Sequence, residues 1–233
     1  MSTPHNQLLA SLPRADRAQL LAQCETVQLV LEEVLYEPGQ VTRQVYFPID
    51  SFISQIAQLA DGHSLEVGMV GREGMLGVHL SLGVPREPLR AMVQGGGSAW
   101  CMSAGHFRAA LARSPPLQLR LHKYLYVLMA ERAASAACLR FHEIGPRLAR
   151  WLLMTQDRAR SDQFPLTQEF VALMLGVRRV GVTAAAGLLQ QQGLIAYRRG
   201  ELTVLDRPGL EAAACSCYAA DRRNHAQTMG PRR

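Results

Sequence analysis

Between Val27 and Trp100 the chain is cut into short apolar runs, VQLVL, QVYFPI, SFISQIAQL, SLEVGMV and RAMVQ. Turn signals separate them at Pro38-Gly39, Asp50-Ser51, Asp61-Gly62, Gly71 and Gly95-Gly96-Gly97. Short strands at regular spacing, each closed by a tight turn, predict an all-β barrel or sandwich for this segment. Ahead of it, residues 6–24 carry apolar positions at helical spacing around Pro13, which predicts two short helices or a turn and a helix.

After Ser103 the periodicity changes from strand to helix. AGHFRAALARS reads as a short helix, and Pro115-Pro116 opens a long one that runs to about Arg140. Leu117, Leu121, Tyr124 and Leu128 recur in it at steps of 4, 3 and 4, the spacing of an apolar seam. We expect that seam to pair with its copy in a dimer; the alternative is that it packs on the β domain. Gly145-Pro146 breaks the pattern, Pro146 suits the first turn of a new helix, RLARWLLMTQDRA, and the domain boundary is placed there.

The segment LTQEFVALMLGVRRVGVTAAAGLLQQQGLIAYRRGELTVLD, residues 166–206, holds the densest signal. Thr167 is a predicted N-cap with Gln168 and Glu169 in the first turn, and Leu175-Gly176-Val177 makes a tight turn. A second helix starts near Arg178 and ends at Gly193, burying Val182, Ala185, Leu188 and Leu189. Two short helices joined by a glycine turn, with Arg178-Arg179 opening the second, form the pattern of a helix-turn-helix, in which one helix enters the major groove and its N-terminal residues reach bases and phosphates. LIAYRRGELTVLD then reads as two short strands around Arg198-Arg199-Gly200, a wing tip with two phosphate-seeking cations.

The charge agrees with this placement. Residues 1–139 hold 11 basic and 11 acidic side chains, a net of 0, and residues 140–233 hold 14 and 8, a net of +6, which is the whole excess of the chain. A neutral half joined to a basic half suits a sensor or scaffold coupled to a polyanion binder, because phosphate neutralisation and counterion release drive nucleic-acid affinity. A soluble surface with a ragged basic tail would have the same sum.

In its order of elements the chain resembles the Crp/Fnr family of transcription regulators over about residues 8–212, with LTQEFVALMLGV and GLLQQQGLI the most specific portions. The resemblance implies an α+β fold: an N-terminal β-roll (a cyclic-nucleotide-binding-like jelly roll) over residues 1–115, a long dimerisation helix over 116–143 and a C-terminal winged helix-turn-helix over 144–212. Residues 213–233 are left as a basic tail. It also implies a homodimer on double-stranded DNA with a two-fold operator, and contact with RNA polymerase.

On this resemblance Arg179 falls where the family has its first base-reading arginine, Val180 replaces the usual glutamate and Ala184 the usual later arginine, and Thr183 faces phosphate or a thymine methyl. The common family operator is therefore not expected. The effector stretches correspond to Glu73, Gly74, Met75 and Leu76, and to Leu89, Arg90 and Ala91. Arg90 holds an anion if it turns inward, the alternative being a surface position on a strand edge, and tight binding of cyclic AMP is not expected. Whether another effector exists stays open.

Five cysteines at irregular spacing read as reduced thiols. Cys215-Ser216-Cys217 with His225 falls short of the four ligands of a structural zinc site, the N-terminal cysteines of the family's iron-sulfur members are missing, and no metal is expected. No GxSxG, P-loop, GxGxxG or HExxH pattern marks an enzyme. A mean hydropathy of -0.01 and a start without a basic, then apolar, leader point to a soluble cytoplasmic protein with no membrane partner. The reading that competes with the regulator is a signalling module whose helix-turn-helix, altered at Val180 and Ala184, is a protein interface.

Overall fold

The structure, a computed structural model, describes residues 6–198 and 200–230. Two short helices, α1 (Gln7–Ala10) and α2 (Arg14–Leu21), lead into strands β1 (Glu25–Leu29), β2 (Val34–Tyr36), β3 (Gln44–Pro48), β4 (Phe52–Gln58) and β5 (Ser64–Val70). A 3-10 turn (Val78–Leu82) precedes β6 (Arg90–Gly95) and β7 (Gly97–Ser103). The strands form two antiparallel sheets, β1-β7-β3 and β2-β6-β4-β5. Among the described residues this is the predicted β domain; successive side chains of a strand point to opposite faces, and β3 and β4 fall on apolar runs because both of their faces are covered.

That alternation places the core. On β3, Tyr46 faces the space between the sheets with Ile53, Val70, Ala91, Val93, Ala99 and Cys101. Its neighbours Val45 and Phe47 face the other way, into a second cluster with Met75, Met102 and Phe107. A strand buried on both faces needs a cover for its outer side. Helices α3 (Ala104–Arg113) and α4 (Pro115–Phe141) supply it. Ser114 caps α4 by accepting the Leu117 N–H at 3.2 Å, and the two prolines sit in its first turn, where no N–H is missed.

The seam predicted to pair two copies lies inside this cover. Leu117, Leu121, Tyr124 and Leu128 are 1%, 0%, 1% and 6% exposed and join the second core cluster. They hold α4 to its own β domain, each worth roughly 1.5–3 kcal/mol of apolar burial. The physical reason is competition: the outer face of β3 and β7 is apolar and adjacent in the chain, so it claims the strongest stripe of the helix. What remains outward is a second stripe at 3 and 4 spacing, Leu119, His122, Tyr126, Met129 and Ala133. Tyr126 and Met129 are 58% and 69% exposed.

After a break at His142-Glu143 the chain forms α5 (Ile144–Ala159), β8 (Gln163–Pro165), α6 (Gln168–Leu175), α7 (Arg179–Gln191), β9 (Ile195–Arg198), β10 (Glu201–Val204) and α8 (Arg207–Ala213). The sheet order β8-β10-β9 makes the wing three-stranded. One apolar cluster joins these helices to the wing and reaches Ile56 and Met69 of the β domain.

The stretch read as a basic tail is structured in its described part. Helix α9 (Cys217–Met229) lies back along α4. Tyr218 is buried at its start, Asp221 pairs with Arg150 at 2.7 Å, and Arg120 donates to the Met229 carbonyl at 2.9 Å at its far end. Arg222 and Arg223 mislead because they are exposed on a helix that also carries the buried Tyr218 and the partly buried Asp221 and His225.

Candidate nucleic-acid interface

Thr167 accepts the Phe170 N–H at 3.1 Å and starts α6 as the sequence predicts. Gly176 ends it at φ +61°, a conformation costly for a side-chain-bearing residue. The α6 and α7 axes meet at 109°. Inside the angle, Val171, Ala172 and Leu175 pack against Val182, Ala186 and Leu189 in one core. Arg147 of α5 donates to the Leu175 carbonyl at 2.5 Å, placing a cation at the carbonyl end of α6.

The packing leaves one face of α7 in solvent. Arg178, Arg179, Val180, Thr183, Ala184 and Leu188 are all exposed, Val180 at 74%. Leu188 was expected in the core; its side chain falls one step round from Ala185 and Leu189, which fill that space. Arg179 lies 3.8 Å from Glu169, an exposed contact that water and salt weaken. Thr183 donates to the Gln168 side-chain oxygen at 2.6 Å, tying α7 to the start of α6. At the wing Arg198 is exposed opposite Glu201, and Tyr197 donates to the Leu166 carbonyl at 2.6 Å. Arg199 lies outside the described residues. Arg178, Arg179, Thr183, Gln168, Thr167 and Arg198 thus belong to one α6-α7-wing unit.

The residues read as an effector set do not converge. Glu73 lines a cavity of about 500 Å³ between β5, α4, α5 and α9, but its carboxylate is taken by Arg158 at 2.8 Å and by the Gly71 N–H at 3.0 Å. Gly74 is the contact point of Tyr124, where a Cβ would stand 2.0 Å from the phenolic oxygen. Met75 and Leu76 are core residues, as is Ala91. Arg90 pairs with Glu37 at 3.5 Å on the β2 side, and Leu89 lines a different cavity. The strand-edge alternative for Arg90 is the one the fold adopts, because β6 pairs with β4 and β2 and points Ala91, not Arg90, inward.

The large cavity is polar for another reason. Six arginines and four carboxylates line it, drawn mainly from α4, α5 and α9. Burial pushes Glu131 up to about 7, against the pull of Arg158. Burial lowers His225, with Glu73 opposing and Arg158 adding to the effect, and its Nε2 has no hydrogen-bond partner among the described residues. Little of this was readable beforehand, since the ring of charges is assembled from helices far apart in the chain.

His225 lines that cavity and is not the imidazole beside Cys215 and Cys217. His142 is, and Cys138 completes the group: the four ligand atoms all lie within 4.8 Å of one another. A usable signal was present, because Cys138 and His142 are four apart at the end of a helical segment, a spacing that one helical turn brings together.

A β-roll, a long helix and a winged helix-turn-helix on one chain define a regulator-like architecture. Residues 146–213 match the Crp-like helix-turn-helix domain. No curated protein matches the chain. Among solved structures it is similar to the c-di-GMP-responsive global regulator CLP of Xanthomonas campestris, at TM-score 0.67 and 16% identity over 83% of this chain and 100% of that one. FixK2 of Bradyrhizobium japonicum gives TM-score 0.67 and 14% identity over 83% and 98%. A CRP-family transcriptional regulator of Thermus thermophilus gives 0.66 and 20% over 81% and 96%. The chain therefore carries a Crp-like helix-turn-helix domain and has the fold of the Crp/Fnr-type regulators. Among the described residues no single helix is long and apolar enough to cross a membrane; α6 and α7 together have the apolar length but are bent at their glycine turn.

Proposed function

We propose that this protein is a dimeric, sequence-specific regulator of transcription that binds double-stranded DNA in the cytoplasm. The observation that carries the reading is the free face of α7: Arg178, Arg179, Val180, Thr183 and Ala184 stand in solvent at the N-terminal half of the helix, the part that reaches base edges in a major groove. Arg179 reads a guanine through O6 and N7, Val180 and Ala184 meet thymine methyl groups, and Thr183, Arg178 and Arg198 take phosphates. Thr167 and Gln168, at the start of α6, contact the backbone beside the groove. Arg199, next to Arg198 in sequence, adds a further positive charge for phosphates.

Two copies pair through the outer stripe of α4, with Tyr126 and Met129 at its centre, and the pair reads a two-fold site where RNA polymerase is within reach. The β-roll works without cyclic AMP in the usual pose, since Glu73 is already paired and Arg90 lies elsewhere. Any effector enters the charged cavity between β5 and the helices.

A second reading has its own support. Val180, Ala184 and Leu188 form an apolar stripe at i, i+4 and i+8, which suits a protein partner as well as thymine methyls. Footprinting on genomic fragments at two salt concentrations separates them. The regulator protects discrete two-fold sites with affinity that falls steeply with salt, whereas the interaction module protects none.

A further inference from the structure

The C-terminal ends of α4 and of the Crp-like domain meet at four side chains. Cys138 lies in the last turn of α4 and His142 follows as its C-cap, donating its N–H to the Cys138 carbonyl at 3.1 Å, while Cys215 lies just before α9 and Cys217 begins it. Cys138 and Cys215 are buried, Cys217 and His142 partly so. The sulfurs of Cys138 and Cys215 are 3.6 Å apart, and the Cys217 sulfur is 3.6 Å from His142 Nδ1. All five cysteines of the chain are free thiols.

The two 3.6 Å separations are those of ligands on one ion, and all four ligand atoms lie within 4.8 Å of one another. A tetrahedral centre with metal–sulfur bonds of about 2.3 Å and a metal–nitrogen bond of about 2.0 Å sets neighbouring ligand atoms roughly 3.5–3.8 Å apart. A polynuclear cluster keeps its thiolates further apart, because its inorganic core stands between them. Three thiols and one imidazole also form a complete structural zinc set, without the open position of a catalytic site.

We propose that Cys138, His142, Cys215 and Cys217 bind a single thiophilic divalent cation, Zn²⁺ above all, that clamps α9 to the end of α4. Each thiol gives its proton to solvent as the ion enters, and neutral His142 offers Nδ1. Three thiolates, an imidazole and a divalent ion sum to one negative charge. Arg147 and Arg150 of α5 are close enough for their fields to act on Cys138 and Cys215, and they balance that charge. The Cys215 N–H donates to the Pro146 carbonyl at 3.2 Å, so the site sits against the first turn of α5, where the DNA-binding domain begins. An ion there ties α4, α5 and α9 together at the joint of the molecule.

The test uses the full chain purified under reducing conditions, with metal measured by plasma mass spectrometry and Co²⁺ used as a spectroscopic probe. About one zinc per chain is expected, and Co²⁺ should give tetrahedral ligand-field bands with thiolate charge transfer. Zinc should raise the midpoint of thermal unfolding. Cys217→Ser and His142→Ala, at the partly exposed positions, should each weaken zinc affinity more than about tenfold, while Cys24→Ser, outside the cluster, should leave it unchanged. Background metal in the wild type, a Co²⁺ spectrum of the hydrated ion, or iron with acid-labile sulfide would each overturn the proposal.

Discussion

Trp151 of α5 donates its indole N–H to the carboxylate of Glu66 on β5 at 2.9 Å. The bond crosses from the DNA-binding domain to the β domain, and the same carboxylate accepts the Ser54 hydroxyl at 2.6 Å. Together with Leu65, whose side chain meets Gly176 at the turn of the helix-turn-helix, it makes the β4-β5 hairpin the surface on which the helix-turn-helix rests.

That contact has a pH dependence. Burial pushes Glu66 up to about 7 from 4.5, although the bonds from Ser54 and Trp151 and the nearby Arg158 and Arg150 pull it down. A raised pKa means that the folded chain holds a proton the unfolded chain has lost. The associated stability is therefore fully present below about pH 4.5 and is lost as pH rises to about 7. Glu66→Gln keeps an acceptor for Trp151 and removes the buried charge. Its stability in urea should match the wild type at pH 5 and exceed it by on the order of 1–3 kcal/mol at pH 8. A variant less stable at pH 8 would mean that the charged form is the one the fold needs.

Arg179→Ala should weaken binding to the selected site by roughly 1–3 kcal/mol and relax the preference at one base position in each half-site. Binding-site selection with randomised duplexes measures both. A uniform loss over all sequences would make Arg179 a phosphate contact, and a reduced salt slope would accompany it.

The two stripes of α4 should respond differently to substitution. Tyr126→Glu or Met129→Glu puts a charge on the exposed stripe and should yield a folded monomer by analytical ultracentrifugation. Leu121→Ala opens a cavity between α4 and the β domain and should cost about 2–5 kcal/mol of stability. If Tyr126→Glu leaves a dimer intact, the pairing surface lies elsewhere.

Gly74→Ala should destabilise the chain by roughly 1–3 kcal/mol, because the added Cβ stands 2.0 Å from the Tyr124 hydroxyl and 2.3 Å from the ring carbon that bears it. Thermal unfolding reads the loss. Tyr124→Leu should restore part of it by vacating that space.

The local grammar of this chain was open to reading from its residues. Thr167, Gly176 and Gly193 mark the helix-turn-helix because capping and left-handed turns depend on single residue types. The wing at Arg198 and the β runs from Val27 to Trp100 obey the two-residue period of any strand. The start of α4 at Pro115-Pro116 follows from a missing N–H that costs nothing in a first turn.

Partnership between distant segments was not open in the same way. The periodicity of Leu117, Leu121, Tyr124 and Leu128 says that this side of α4 is buried but not against what, and the β domain, being tethered, outcompetes a second subunit. Glu73 and Arg90 have the residue types of an effector site, yet Arg158 and Glu37 claim them. Cys138 and Cys215 are 77 residues apart and meet only because α9 folds back along α4. Short-range order is decided by each residue's own backbone and side-chain preferences. Contacts across the molecule are decided by which of several chemically equivalent partners the packed core leaves within reach.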